Sequence, residues 1–170
     1  MKLKLLALSI LATFAFSGQA QMGDKQKRQS PPATYEHKVG DATVVISYSQ
    51  PSVKGRTIYG DLVPYGKVWR TGANEATTLT TDKAIKIGGE ELAPGTYSLF
   101  TIPGEEEWTI ILNSDAKQWG AYKYDEEKDA VRFTTKAKEH EMTEMMTFSG
   151  DKHHIYLDWA NTRVPIMVKK

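Results

Sequence analysis

Between residues 54 and 77 the chain gathers Lys54, Arg56, Lys67, Arg70, Asn74 and Glu75 among Tyr59, Tyr65 and Trp69. Guanidinium groups grip carboxylates and phosphates through paired N–H donors. An indole offers a flat apolar face, and amide and carboxylate side chains add directed hydrogen bonds. A second cluster, Trp119-Gly120-Ala121-Tyr122-Lys123-Tyr124-Asp125, places three aromatics around one glycine. The expected ligand site joins Arg56, Trp69, Arg70, Asn74, Glu75, Trp119 and Tyr122, and its expected ligand is a glycan or a carboxylate-bearing small molecule. A competing reading pairs Arg70 with Glu75 or Asp61 and sends Trp69 into the core. In that reading the second cluster's aromatics seal one end of the domain.

Other chemistries find less support. The chain has no Cys, which removes thiol catalysis, zinc-thiolate sites and disulfides. His153 and His154 are adjacent, so on a strand they face opposite ways, and a metal would need a distant partner such as His37. Asp125, Glu126, Glu127 and Asp129 resemble calcium ligands in type only, because Lys128 interrupts them and no EF-hand glycine is present. No G-x-S-x-G elbow, P-loop or Rossmann fingerprint occurs. The one enzymatic alternative is a hydrolase using Glu75 with Asp61 or Asp125 as a carboxylate pair. No cofactor or metal is expected.

The elements that must position these residues read as β. Ala42–Tyr48 alternates, with apolar residues in both phases. Ala84–Ile87 and Glu90–Leu92 flank Gly88-Gly89, a hairpin signal, since two glycines accept the positive φ of a tight turn. Thr96–Ile102 and Trp108–Leu112 form the most apolar pair, joined by an acidic tip, and the run Ile110-Ile111-Leu112 implies cover on both faces. Val131–Ala137, Met145–Ser149, His154–Trp159 and Arg163–Val168 follow, the last two separated by a turn at Asn161-Thr162. Lys67–Thr71 and Ala76–Thr81 are short strand candidates. Pro165 lacks an amide donor, which places its strand at an edge or beside a bulge. Ile58–Leu62 and Ala116–Ala121 are the helix candidates, each about one turn. Glycines 55, 60, 66 and 72 and Pro64 make 54–77 a long structured loop, the kind of segment that carries binding residues on a rigid scaffold. The expected fold is all-β, a single β-sandwich of roughly nine or ten short antiparallel strands.

The first 20 of the 170 residues have the pattern of a signal peptide: Lys2 and Lys4, an apolar run Leu5–Phe16, then Gly18-Gln19-Ala20. That run is shorter than the roughly 20 residues that span a bilayer, and no transmembrane segment is expected in the mature chain. Residues 21–33 read as a disordered tether and 34–170 as the domain. Without Lys2 and Lys4 the chain carries 20 basic against 21 acidic residues. Such a balance lacks the basic footprint of a nucleic-acid binder.

The run from Tyr48-Ser49-Gln50-Pro51 through Gly60-Asp61-Leu62-Val63-Pro64-Tyr65-Gly66-Lys67-Val68-Trp69-Arg70-Thr71-Gly72-Ala73-Asn74-Glu75-Ala76-Thr77 is long and specific. With Pro94–Pro103, Gln118–Tyr122 and Trp159-Ala160-Asn161-Thr162-Arg163 it resembles the domain-of-unknown-function family 2911. The resemblance spans about Ser30 to Val168. It implies a secreted protein of Bacteroidetes-type bacteria in a periplasmic or extracellular setting, and it carries no activity, substrate or catalytic residue. The residues thus point to an exported, non-catalytic binding module. The alternatives are an envelope protein-protein interaction subunit, using the strand edge beyond Pro165, and the Glu75 hydrolase.

Overall fold

The computed structural model describes residues 28–170. The signal-peptide reading and most of the expected tether lie outside the described residues. Ten antiparallel strands and a single 3₁₀ turn, Glu126–Lys128, make up the fold. The strands are β1 (Pro32–Val39), β2 (Ala42–Ser49), β3 (Thr78–Thr81), β4 (Ile85–Ile87), β5 (Glu90–Leu92), β6 (Gly95–Ile102), β7 (Glu107–Asn113), β8 (Asp129–Lys136), β9 (Lys138–Gly150) and β10 (His154–Lys169). They form a six-stranded sheet ordered β1-β2-β3-β6-β7-β8 and a four-stranded sheet ordered β5-β4-β10-β9. The two sheets make a β-sandwich.

Alternation explains the packing. Val44 and Ile46 of β2, Leu79 of β3, Leu99 of β6 and Ile110 and Leu112 of β7 are buried in one cluster with Phe148, Ile155, Leu157, Val164, Ile166 and Val168 of the opposing sheet. Burying such side chains contributes about 1.5–3 kcal/mol each. Ile111 and Phe100 point the other way and join Ala76, Val68, Ala121 and Tyr124 in a second cluster. The Phe100 and Tyr124 rings meet edge-on at 5.2 Å. The loops between β2 and β3 and after β7 therefore cover the outer face of the large sheet, which accounts for three consecutive apolar residues in one strand.

The Gly88-Gly89 hairpin forms as expected, pairing Ile87 with Glu90, with φ of +61° and +97° at the glycines. A Cβ on Gly88 would lie 2.2 Å from the Phe133 ring, so this turn also needs its glycine to seat against β8.

Several expectations are corrected. Domain packing starts at Pro32 rather than near Thr34, because residues 32–39 pair with β2 along their whole length, Pro32 with Ser49 and Val39 with Ala42. The inward residues of β1 are Ala33, Tyr35, His37 and Val39, too polar a set to stand out in the sequence. Residues 28–31, assigned to the tether, are docked as well. Asn74 donates to the Ser30 carbonyl at 3.2 Å and the Gln50 amide to the Pro31 carbonyl at 2.9 Å. Lys67–Thr71 is not a strand; only Trp69 bridges, to Thr101. Neither helix candidate is helical.

The last two expected strands are one, β10, and Asn161-Thr162 is not a turn. Register shifts between Asp158 and Ala160 and between Ala160 and Thr162 carry the strand through. They also reverse its phase: Ile155, Leu157 and Trp159 are buried before the bulges, and Val164, Ile166 and Val168 after them. Pro165 is not at an outer edge, since β10 lies between β4 and β9. It falls between the last pair with β9, at Arg163, and the first with β4, at Val168, where the ladder needs no amide from it.

Candidate functional site

The 51–77 segment is fastened to both sheets, which is why a glycine-rich loop holds one shape. The Val53 amide donates to the Glu144 carbonyl at 2.8 Å, and the Met146 amide to the Pro51 carbonyl at 3.0 Å, tying the loop to β9. Trp69 and Thr101 exchange backbone bonds at 2.7 and 3.0 Å, tying it to β6. The Ala76 amide reaches the Gln118 carbonyl at 2.9 Å and the Gly120 amide the Asn74 carbonyl at 3.2 Å. The two aromatic segments singled out from the sequence are thus neighbours, joined at Glu75 and Trp119.

The loop borders a half-open cavity of about 430 Å³. That volume lies in the range of small-molecule sites. Leu62, Val63, Trp69 and Trp159 supply its apolar wall, Gln29 and Ser30 of the N-terminal segment one polar side, and Lys54, Arg56 and Arg70 its charge. No acidic side chain lines it among the described residues.

The wall is built from packed aromatics. Trp69 stacks on Trp159 with ring centroids 5.8 Å apart and planes 17° apart, and Tyr59 packs edge-on against both and against Trp108. The Trp69 Nε1–H donates to the Gly72 carbonyl at 3.1 Å. Trp69 is only 9% exposed, so its face is closed to stacking and it offers the cavity little more than an edge.

Arg70 is half-buried, and its Nε–H is sealed from solvent without an acceptor. Leaving such a donor unpaired costs on the order of 1–3 kcal/mol. Arg56 is fixed by its own turn, with Nε donating to the Val53 carbonyl at 3.0 Å and Nη2 to Ser52 at 2.5 Å. Two carboxylates near the loop have partners. Glu144 accepts the Lys54 backbone amide at 2.9 Å. Asp158 is held by Arg163 at 2.7 and 2.8 Å.

Backbone strain concentrates here. Thr71, between Arg70 and Gly72, has φ of +53°, Lys54 has +49°, and Ala160, next to Trp159, has +52°. For a β-branched residue this is an outlier, costing roughly 1–3 kcal/mol and typical of functional sites. Thr71 is held there by bonds from the Thr77 hydroxyl to its carbonyl at 2.6 Å and from its own hydroxyl to that of Thr101 at 3.2 Å.

The remaining expected site residues stand outside the cavity wall. Asn74 holds Ser30, as above. Glu75 pairs not with Arg70 but with Arg28, whose Nη1 reaches both carboxylate oxygens at 2.9 and 2.7 Å. Arg28 also lies over the Trp119 ring at 5.9 Å. Trp119 is 59% exposed and Tyr122 87% exposed, so they cap nothing. The structure therefore gathers Arg56, Trp69 and Arg70 at the cavity, sets Asn74, Glu75 and Trp119 against residues 28–30, and leaves Tyr122 in solvent. Trp159, Leu62 and Val63 escaped the sequence reading because each looks like an ordinary core or loop residue. The signal that bears on Trp159 is the phase reversal just after it.

A second polar group lies apart from the cavity. The His37 Nδ1 meets the Tyr35 hydroxyl at 3.1 Å, while its Nε2 is buried without a partner. Burial lowers the His37 pKa from its usual value, and Asp151 opposes this weakly. The folded protein thus favours neutral His37. This contribution to stability is full above about pH 6.5 and declines as pH falls from there toward the folded pKa. Urea titrations from pH 7.5 to 5 should show that decline in the wild type and a shallower one in His37→Gln. Equal slopes would contradict the assignment.

A family model described as "Protein of unknown function (DUF2911)" matches residues 30–168. No curated protein and no solved structure matches the chain.

Proposed function

The chain belongs to the DUF2911 family, whose description assigns no activity, and on the geometry we propose that it is a non-catalytic binding module holding a polar small molecule in the loop cavity. The observation that carries this reading is the cavity itself: about 430 Å³, apolar on one side, and lined among the described residues by three cations and no acid. Left-handed backbone at Lys54 in its wall, and at Thr71 and Ala160 next to wall residues, supports a shape maintained for a ligand. A hydrolytic role for Glu75 gains nothing from the fold, since Glu75 lies outside the cavity wall with its carboxylate held by Arg28. The interaction-subunit reading loses the strand edge it rested on, because β10 is internal.

The test is a thermal-shift panel of sugars, sugar acids, sugar phosphates and organic acids. A ligand at 100 times its Kd stabilises by about 2.7 kcal/mol, several degrees for this domain. At least one class should raise Tm; a flat panel would count against the reading.

We place the module outside the cytoplasm on the pattern of residues 1–20 alone. Among the described residues no helix is long and apolar enough to cross a membrane. Mass spectrometry of the protein from its native cells should find Gln21 as the first residue. An intact Met1 would remove the exported setting.

A further inference from the structure

Resting on that reading, we propose that the ligand is anchored by an oxyanion, a carboxylate or a phosphate, received by the Arg70 guanidinium with Arg56 and Lys54 at the rim. Three like charges around one cavity repel one another, and among the described residues no acid in its wall offsets them. A bound anion relieves that repulsion, whereas a cation would add to it. Arg70 lines this cavity with a half-buried guanidinium. A guanidinium binds carboxylate or phosphate through paired donors, so an oxyanion in the cavity supplies Arg70 with a counter-charge.

Arg56 is positioned in advance. Two of its five donors are taken by the Val53 and Ser52 carbonyls, which fixes the plane of the group and leaves donors unused. Lys54 is set by its left-handed backbone and by the bond from its amide to Glu144. Two other charges near this end are paired, Glu75 with Arg28 and Asp158 with Arg163. The cavity is far larger than a bare phosphate, and Leu62, Val63, Trp69 and Trp159 make one side of its wall apolar. The anion is therefore the charged end of a compact body with an apolar side.

The experiment follows the arginine Nε–H cross-peaks of the wild-type protein during titration with glucose, glucuronate, glucose 6-phosphate and inorganic phosphate, each to tens of millimolar. These compounds hold the body constant while the charged group changes. The Arg70 peak should shift with at least one anion and stay fixed with glucose, and affinity for that anion should fall at least about tenfold in Arg70→Lys, which keeps the charge but loses the fork. Arg56→Gln, at the exposed rim, tests the same point should Arg70 variants fail to fold, and should weaken the anion while the domain stays folded. A stronger response to glucuronate assigns a carboxylate, and one to glucose 6-phosphate or inorganic phosphate assigns a phosphate. If glucose binds as well as its acids and the Arg70 peak stays fixed, the oxyanion is overturned while the binding reading stands. If none of the four moves Arg70 or any cavity resonance, the oxyanion proposal is overturned, and a flat thermal-shift panel as well would overturn the binding reading with it.

Discussion

Replacing Arg163 with methionine is expected to cost about 3–5 kcal/mol, the range for breaking a buried ion pair from one side. Asp158 has a side chain only 4% exposed, and Arg163 grips both of its oxygens, at 2.7 and 2.8 Å. Once the guanidinium is gone, the Ser149 hydroxyl at 3.2 Å is the carboxylate's remaining side-chain partner. The pair also straddles the bulges of β10, so its loss loosens the segment that carries Trp159 into the cavity wall. Chemical denaturation should show the loss, with Tm falling by roughly 6–20 °C. The double variant Asp158→Asn, Arg163→Met should recover part of it, because the unpaired charge is then removed. A single-variant loss below about 1 kcal/mol would mean that the pair is in effect a solvated surface bridge.

Trp159→Ala should cost a similar amount, about 3–5 kcal/mol. The side chain is 1% exposed, stacks on Trp69 and meets Tyr59 edge-on at 6.0 Å. Deleting it removes the partner of both rings and opens a void that joins the cavity. Trp159→Phe should lose less, because a ring remains to fill most of that volume. Urea unfolding of both variants checks the order. Equal stability for wild type and Trp159→Ala would contradict the packing described for this end of the sandwich.

The β-sandwich was legible because its strongest strands obey simple patterns. β2 alternates, the Gly88-Gly89 turn marks its own hairpin, and Ile110-Ile111-Leu112 announces cover on two faces. β1 was missed because its inward row includes Tyr35 and His37, polar groups that mimic a surface segment. β10 was cut in two because a bulge and a turn look alike in sequence: both interrupt the alternation near Ala160-Asn161-Thr162. Only pairing with β9 decides between them, and that is a long-range property.

The candidate site was legible in part for the same reason. Arg56 and Arg70 stood out by residue type, and they do line one cavity. Trp69 was weighed as both ligand platform and core, and packing against Trp159 settles it as core. Glu75 found a partner, Arg28, in a segment whose composition gave no reason to expect ordered contacts. Side-chain type announces what a residue can hold, whereas burial and partners fix whether it is still open to hold it.

The central claim is that the cavity behind the 51–77 loop is the binding site, and filling it tests this most directly. Ala73 lies in its wall, and a tryptophan there would occupy much of the space. Calorimetric titration should give one site per wild-type chain for the best compound of the thermal-shift panel. Ala73→Trp, with its Tm retained, should bind that compound at least about tenfold more weakly. Undiminished binding by the filled variant would place the ligand elsewhere on the protein and contradict the account.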